Sequence, residues 1–278
     1  MAHKVNIVLS IISAALISIL VLPINCFCYT HPYLIPVIFA GLFVGAYIVF
    51  FLIFWIFSAL VSLTINTKKT YEKHSRFYDV LFALIMEYAA QVATANIKVT
   101  GMEKLPDPKK QKFLFVSNHK STFDTFIQVG AFRKYPIAFI SKPENFNITM
   151  GHRYMTRCRY MAIDREDVRA GARITKLASQ MISSGDCCVG VYPEGTRNKT
   201  DETLIEFKHG CFKSAVWAKS PIVIGVVHNT ISMHLNFPFK RTPVHFEIVE
   251  VMPYEKFKDW STVEISDYVK KRMLERLQ

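Results

Sequence analysis

The stretch KFLFVSNHKSTFDTFIQVGAF, Lys112 to Phe132, changes character in its middle. Phe113 to Val116 is a continuous apolar run, the pattern of a strand covered on both faces. From Thr122 onward the apolar residues take helical spacing. Between the two lie His119 and, five residues later, Asp124. The reading is therefore strand, polar loop, helix, with an imidazole and a carboxylate at the mouth of a buried strand.

The same unit recurs along the chain. YPIAFIS, CCVGVYPEG and PIVIGVVHN are further buried strands, VHFEIVEVM is an alternating one, and NIKVTG is a short strand-like piece closed by a glycine. RYMAID is short enough to be strand or loop. Helices fall between them. In VRAGARITKLASQMISSG the residues Ile174, Leu177, Ala178, Met181 and Ile182 share one face, with Gly185 placed to end the helix. GCFKSAVWAKS is a second helix, and a last one opens on the capping box of Ser261 and Glu264. Alternation of this kind predicts an α/β fold, a mixed sheet covered by helices. In such sheets the chemistry gathers where loops leave the strands.

The amino-terminal quarter is different. Hydrophobic residues make up 51% of the chain and the net charge is +12, yet no Asp, Glu, Lys or Arg lies between Lys4 and Lys68. Val5 to Leu22 and Leu34 to Leu63 are uncharged runs, each long enough to span a bilayer core of about 30 Å as a helix. A transmembrane helical hairpin is the natural reading. The first run also carries Asn6, Ser10, Ser13 and Ser18, which suits a re-entrant segment. A cleaved signal peptide is disfavoured, because no small-x-small site follows the first run and a longer run succeeds it. Lys4 before the pair and Lys68, Lys69, Lys73 and Arg76 after it place both ends in the cytoplasm. The expected organisation is a membrane anchor over 1–67, an interfacial or linking helix over 68–95, and a folded domain over 96–278. For the middle segment, a helix lying in the interface and a core helix of the domain fit equally well.

The basic balance suits an anionic membrane surface or anionic substrates. No nucleic-acid motif accompanies it, so nucleic acid is not an expected partner. The six cysteines show no paired metal-ligand spacing and read as packing residues in a reducing compartment; no metal is expected. Asn147-Ile-Thr and Asn198-Lys-Thr match the glycosylation pattern, which is empty in a cytoplasmic domain. His228, His234 and His245 are scattered and read as structural or surface residues.

A carboxylate against one imidazole nitrogen leaves the other free to take a proton from a hydroxyl. A histidine ending a strand, with Asp124 capping the next helix, explains the pair equally well. A second polar loop, VYPEGTRNKT, also follows a buried strand. Gly195 there allows close backbone approach, and Arg197 can make paired hydrogen bonds to a phosphate. Standing alone, that loop is a turn with a surface arginine. MAIDRED and SPIVIGVV are weaker signals still.

Together and in this order, NHKSTFD, AIDR, PEGTR and SPIVIGVV resemble the four blocks of the glycerolipid acyltransferases typified by 1-acyl-sn-glycerol-3-phosphate acyltransferase. FKHG, Phe207 to Gly210, sits where that family has a similar Phe-Lys-x-Gly, and the likeness covers about Val99 to Val251. The fourth block departs from the pattern, lacking a second proline near Gly225, which leaves the acceptor less defined. The resemblance implies that His119 is the general base and Asp124 its orienting partner. It implies that Glu194, Gly195, Thr196 and Arg197 hold a glycerol phosphate, with Arg165 and Lys142 adding positive charge. The implied reaction moves a fatty acyl chain from an acyl thioester, coenzyme A or acyl carrier protein, to 1-acyl-glycerol-3-phosphate (lysophosphatidic acid), giving phosphatidic acid. No cofactor is implied beyond that co-substrate. The bilayer would be a partner, and the enzyme integral to the cell membrane with its catalytic domain cytoplasmic. Alternatives are the same chemistry on glycerol-3-phosphate or another lysophospholipid, or a non-catalytic lipid-binding protein on this fold.

Overall fold

The computed structural model describes residues 2–21, 32–163 and 168–278. The chain divides into two compact units, Met1–Thr64 and Ile65–Gln278.

The first unit holds helices α1 (Ala2–Val21) and α2 (Ile35–Leu63), which pack on each other. Asn6, Ser10, Ala14 and Ser18, spaced by four, are the buried stripe of α1. The polar residues of the first segment thus lie on one face of a continuous helix, as small residues do where apolar helices approach closely. The Tyr47 hydroxyl meets His3 Nδ1 at 3.3 Å across the pair. Helix α2 is long and apolar enough to cross a membrane; its most apolar window has a mean hydropathy of 2.7. The apolar part of α1 described as helix is shorter, His3–Ser18. Val44, Ile48, Leu52, Ile56 and Leu60 of α2 are exposed along its length. A row of that kind needs an apolar environment outside the chain.

The second unit is an α/β domain. Its strands are β1 (Ala95–Thr100), β2 (Leu114–Ser117), β3 (Ile137–Ser141), β4 (Met161–Ala162), β5 (Cys188–Val191), β6 (Ile222–His228) and β7 (Thr242–Met252). They form one sheet in the order β1-β7-β6-β2-β5-β3-β4. All pairs are parallel except β6 with β7, so the sheet is mixed, as the sequence predicts. Strands β2 and β5 are buried at every residue, which accounts for their lack of alternation.

Helix α3 (Arg76–Val92) belongs to this unit. Leu81, Phe82, Ala83, Ile85 and Tyr88 are buried, and it packs on α4 (Thr122–Ala131). It is a core helix rather than one lying free at a lipid interface. The core beneath it is aromatic: the Phe115 ring meets Phe132 at 4.7 Å, Phe246 at 5.9 Å and Phe139 at 6.1 Å.

The missing proline of the fourth block has a structural counterpart. The β6–β7 register shifts between Ile224 and Gly225, and a Cβ at Gly225 would lie 2.7 Å from the Phe115 ring. A bulge and a glycine make the local break in pairing at this position, where the Phe115 ring takes the place of a side chain.

Candidate active site

Parallel pairing puts the carboxyl ends of β2 and β5 at the same edge of the sheet, and the two polar loops leave from there. Ser121 caps α4, accepting from Phe123 N, and Asp124 closes the capping box. The Asp124 carboxylate is fully buried and does more than cap. Its Oδ2 accepts from Lys120 N at 2.7 Å, Ser121 N at 2.8 Å and His119 Nδ1 at 2.9 Å. Its Oδ1 accepts from the Thr230 hydroxyl. The capping role and the histidine-orienting role are therefore held by one carboxylate. With the proton on Nδ1, the lone pair is on His119 Nε2, which meets no hydrogen-bond partner among the described residues. The His119 side chain is 13% exposed, enough to be reached.

Beneath the ring lies Tyr192, stacked on it at 4.0 Å and 11°. The Tyr192 hydroxyl donates to Gln128 Oε1 at 2.8 Å and accepts from Thr125. Gln128 Nε2 donates to Ser117 Oγ, and Asn118 exchanges two 2.9 Å bonds with the Val227 backbone. Burial pushes the Tyr192 phenol well up, so it stays neutral and acts as a rigid floor.

The PEGTR loop locks to the histidine loop. Glu194 Oε1 accepts from His119 N at 2.8 Å, and Oε2 accepts from Ile205 N at 3.3 Å. Asn198 N donates to His119 O at 2.7 Å. Burial raises the Glu194 carboxyl, against the pull of its two backbone donors. This carboxylate is spent on the backbone: it positions His119. Gly195 has φ +69°, a conformation that favours glycine, and Lys208 N of the FKHG segment donates to Pro193 O at 2.7 Å. Thr196 and Arg197 are exposed at the rim, and Arg197 Nη1 reaches Thr122 Oγ1 at 2.9 Å, beside the start of α4. The backbone donors of that helix start are taken up by its capping box, so an anion at the rim would be met by the Arg197 guanidinium.

Lys142 is exposed just after β3, and no bond ties it to the histidine loop. Arg165 lies outside the described residues. Sequence reasoning did not single out Tyr192, Thr230, Asn118 or Gln128. His234, read as structural or surface, stands at the site: its Nε2 is 3.2 Å from Ser121 Oγ and its ring 4.9 Å from Phe123.

A cavity of about 630 Å³ opens beside the site. Ile140, Ile163, Ala172, Val191 and Trp217 give it apolar walls, and Tyr192 to Thr196 form the wall nearest His119. At the opposite, amino-terminal end of β5, ligand atoms of His74, Asp186 and Cys187 lie within 4.8 Å of one another. Asp186 there is already engaged by His74 N and by Arg159, so the group is held together as an ion-paired lock. Burial raises the thiols of Cys158 and Cys187, and raises those of Cys188 and Cys211 to about 12, as expected of packing cysteines.

The site is thus an α/β sheet edge carrying an Asp-oriented histidine, with an arginine beside a helix start. Residues 96–227 of the chain match the family model described as Acyltransferase. More particularly, it resembles the 1-acyl-sn-glycerol-3-phosphate acyltransferases. It is 28% identical over 174 residues to the one from Limnanthes douglasii, covering 63% of this chain and 59% of that protein. It is 22% identical over 205 residues to that of Borreliella burgdorferi, covering 73% and 80%. The crystal structure of the 1-acyl-sn-glycerophosphate (LPA) acyltransferase PlsC from Thermotoga maritima matches with a TM-score of 0.58 at 21% identity, over 81% of this chain and 87% of that one. At that identity the likeness establishes the fold.

Proposed function

We propose that this protein is a membrane-bound acyltransferase that moves a fatty acyl chain from an acyl thioester to the free hydroxyl of 1-acyl-glycerol-3-phosphate, forming phosphatidic acid. The observation that carries the reading is the buried Asp124 carboxylate held 2.9 Å from His119 Nδ1, with Nε2 left open. The acceptor hydroxyl gives its proton to Nε2 as its oxygen attacks the thioester carbonyl. The tetrahedral intermediate collapses, the C–S bond breaks, and the departing thiolate takes the proton back from the imidazolium. Asp124 stabilises the imidazolium in between.

The other parts of the site fit this scheme. Arg197, at the start of α4, suits the acceptor phosphate, with Arg165 and Lys142 as further cations. Glu194 and Gly195 shape the loop that presents Arg197, and Thr196 lies between the rim and the cavity. The apolar cavity behind Tyr192 is of a size and lining suited to an acyl chain. The donor is coenzyme A or acyl carrier protein. Residues 1–67 serve as an integral anchor in the cell membrane, with the domain on the cytoplasmic side, where acyl thioesters are found; the exposed apolar length of α2 supports this.

The test is acyl transfer by the purified full chain in detergent. Palmitoyl-coenzyme A is offered with 1-acyl-glycerol-3-phosphate and, separately, with glycerol-3-phosphate. Product from the lysolipid is expected, and His119→Ala should lower it by roughly 10²–10⁴-fold with the protein still folded. Product chiefly from glycerol-3-phosphate moves the acceptor and keeps the chemistry. Undiminished turnover in His119→Ala would remove the mechanism.

A further inference from the structure

The connection between β6 and β7 combines a tied backbone with outward-facing apolar side chains. Its backbone is well tied: Phe237 N donates to Met233 O, Lys240 N to Asn236 O, and Asn236 Nδ2 to Thr242 Oγ1. Met233 is buried as its peg. Yet its largest apolar side chains point away from the protein: Phe239 is 96% exposed and Leu235 82%, with Phe237 and Ile231 also exposed. An ordered segment does not hold two such side chains in water without a reason, because each could be buried at a gain. Lys240 and Arg241 follow Phe239 directly and are exposed, and no acidic residue occurs from Asn229 to Phe246. An apolar tip backed by cations matches the layering of an anionic bilayer, acyl chains beneath and phosphates above.

The root of this segment touches the catalytic pair. Thr230 donates to Asp124 Oδ1, and His234 meets Ser121 and Phe123. We propose that residues 231–241 are the lipid-contacting segment of the catalytic unit: Leu235, Phe237 and Phe239 enter an anionic bilayer surface, Lys240 and Arg241 sit at its phosphates, and His119 and Asp124 are thereby held at headgroup depth. This deepens the proposed function and rests on it for its purpose. The contact itself is independent of which acceptor is used.

The experiment uses the full chain, as Phe239→Trp, reconstituted in vesicles of phosphatidylcholine and phosphatidylglycerol, with the wild-type emission subtracted. The expected result is blue-shifted emission, quenched by lipids brominated on the acyl chain and protected from aqueous iodide. Emission open to iodide and unaffected by brominated lipid overturns the proposal. Protection from both quenchers also overturns it, since the segment would then be covered by protein, a second copy included. A second arm uses Leu235→Ser/Phe239→Ser, whose side chains leave no hole in the core. Turnover of bilayer-resident lysophosphatidic acid should fall by about tenfold or more, while turnover of a short-chain, water-soluble acceptor stays at the wild-type value. Equal loss on both acceptors counts against the proposal. If the wild type turns over neither acceptor, the functional reading fails, and the quenching arm still decides the contact.

Discussion

Replacing Asp124 by asparagine separates what this residue does for the fold from what it does for the chemistry. Three donors converge on Oδ2, from Lys120 N, Ser121 N and His119 Nδ1, and one hydroxyl, from Thr230, points at Oδ1. An asparagine can put its oxygen where Oδ2 now lies and its NH₂ toward Thr230, whose hydroxyl turns to accept. The capping box and the buried hydrogen bonds are then kept, and only the charge is lost. A unit charge about 4 Å from an imidazolium is worth about 4 kcal/mol at the effective dielectric of a protein. At 1.36 kcal/mol per decade that is roughly a 10³-fold loss in kcat. Neutral hydrogen bonds in place of charged ones cost about 1 kcal/mol of stability, a shift in Tm of roughly 2–4 °C.

The assay is the initial rate of thiol release at saturating donor and acceptor, run beside a thermal melt of the same preparation. Asp124→Ala is the contrast: it strands buried donors at about 1–3 kcal/mol each and should lose stability as well as activity. A kcat in Asp124→Asn within tenfold of wild type, with Tm unchanged, would refute the electrostatic role and leave Asp124 as a helix cap. A collapse of Tm would refute the swap of partners.

Three further outcomes follow from other contacts. Arg197→Ala should raise the KM for the phosphate-bearing acceptor by roughly 10–100-fold with kcat nearly unchanged, and Arg197→Lys should recover only part; an unmoved KM takes Arg197 away from the phosphate. At Gly190, a Cβ would lie 2.6 Å from the Phe139 ring, so Gly190→Ala should cost about 1–3 kcal/mol in a denaturant or thermal melt, and Phe139→Leu should relieve it. Burial alone would raise the Glu250 carboxyl, but hydrogen bonds from Lys256, Arg272 and Tyr268 bring it below its ordinary 4.5. Its contribution is then present above pH 4.5 and lost as the pH falls through the lowered folded value; in unfolding curves across that acid range, Glu250→Gln should flatten the fall.

How far the sequence reaches depends on where each partner sits. His119 and Asp124 are five residues apart across a strand-to-helix turn, so the local pattern alone brings them within reach. The sheet was legible for the same reason: continuous apolar runs such as Leu114 to Val116 mark strands covered on both sides. The bulge at Gly225 was not, because it has no period to read, and the two-residue strand Met161–Ala162 is so short that its sequence fits strand or loop. The supports of the site come from far along the chain: Tyr192 and Glu194 from the end of β5, Thr230 from beyond β6. Each is an ordinary polar residue after a strand. Only the assembled sheet shows that these strand ends are neighbours. Tyr192 was the nearest to being readable, since it directly precedes the glutamate and glycine of the second loop.

That distribution has a physical consequence. Asp124 is at once a member of the α4 cap, the acceptor for Thr230 and the partner of His119, and the backbone of His119 is held in turn by Glu194 and Asn198. The ring therefore has its position set by three separate segments: the local α4 cap, and the contacts from Thr230 and from Glu194 with Asn198, which form only when β2, β5 and β6 have paired. A catalytic histidine in a loop would ordinarily be mobile, and ordering it would weaken each productive encounter. Here the ordering cost is met when the sheet forms, so it is not paid again at each turnover. The same reasoning explains why Glu194 is worth burying although burial raises its carboxyl: its two backbone bonds fix the loop that carries His119 to the loop that carries Arg197. A carboxylate aimed at the ligand could not do both.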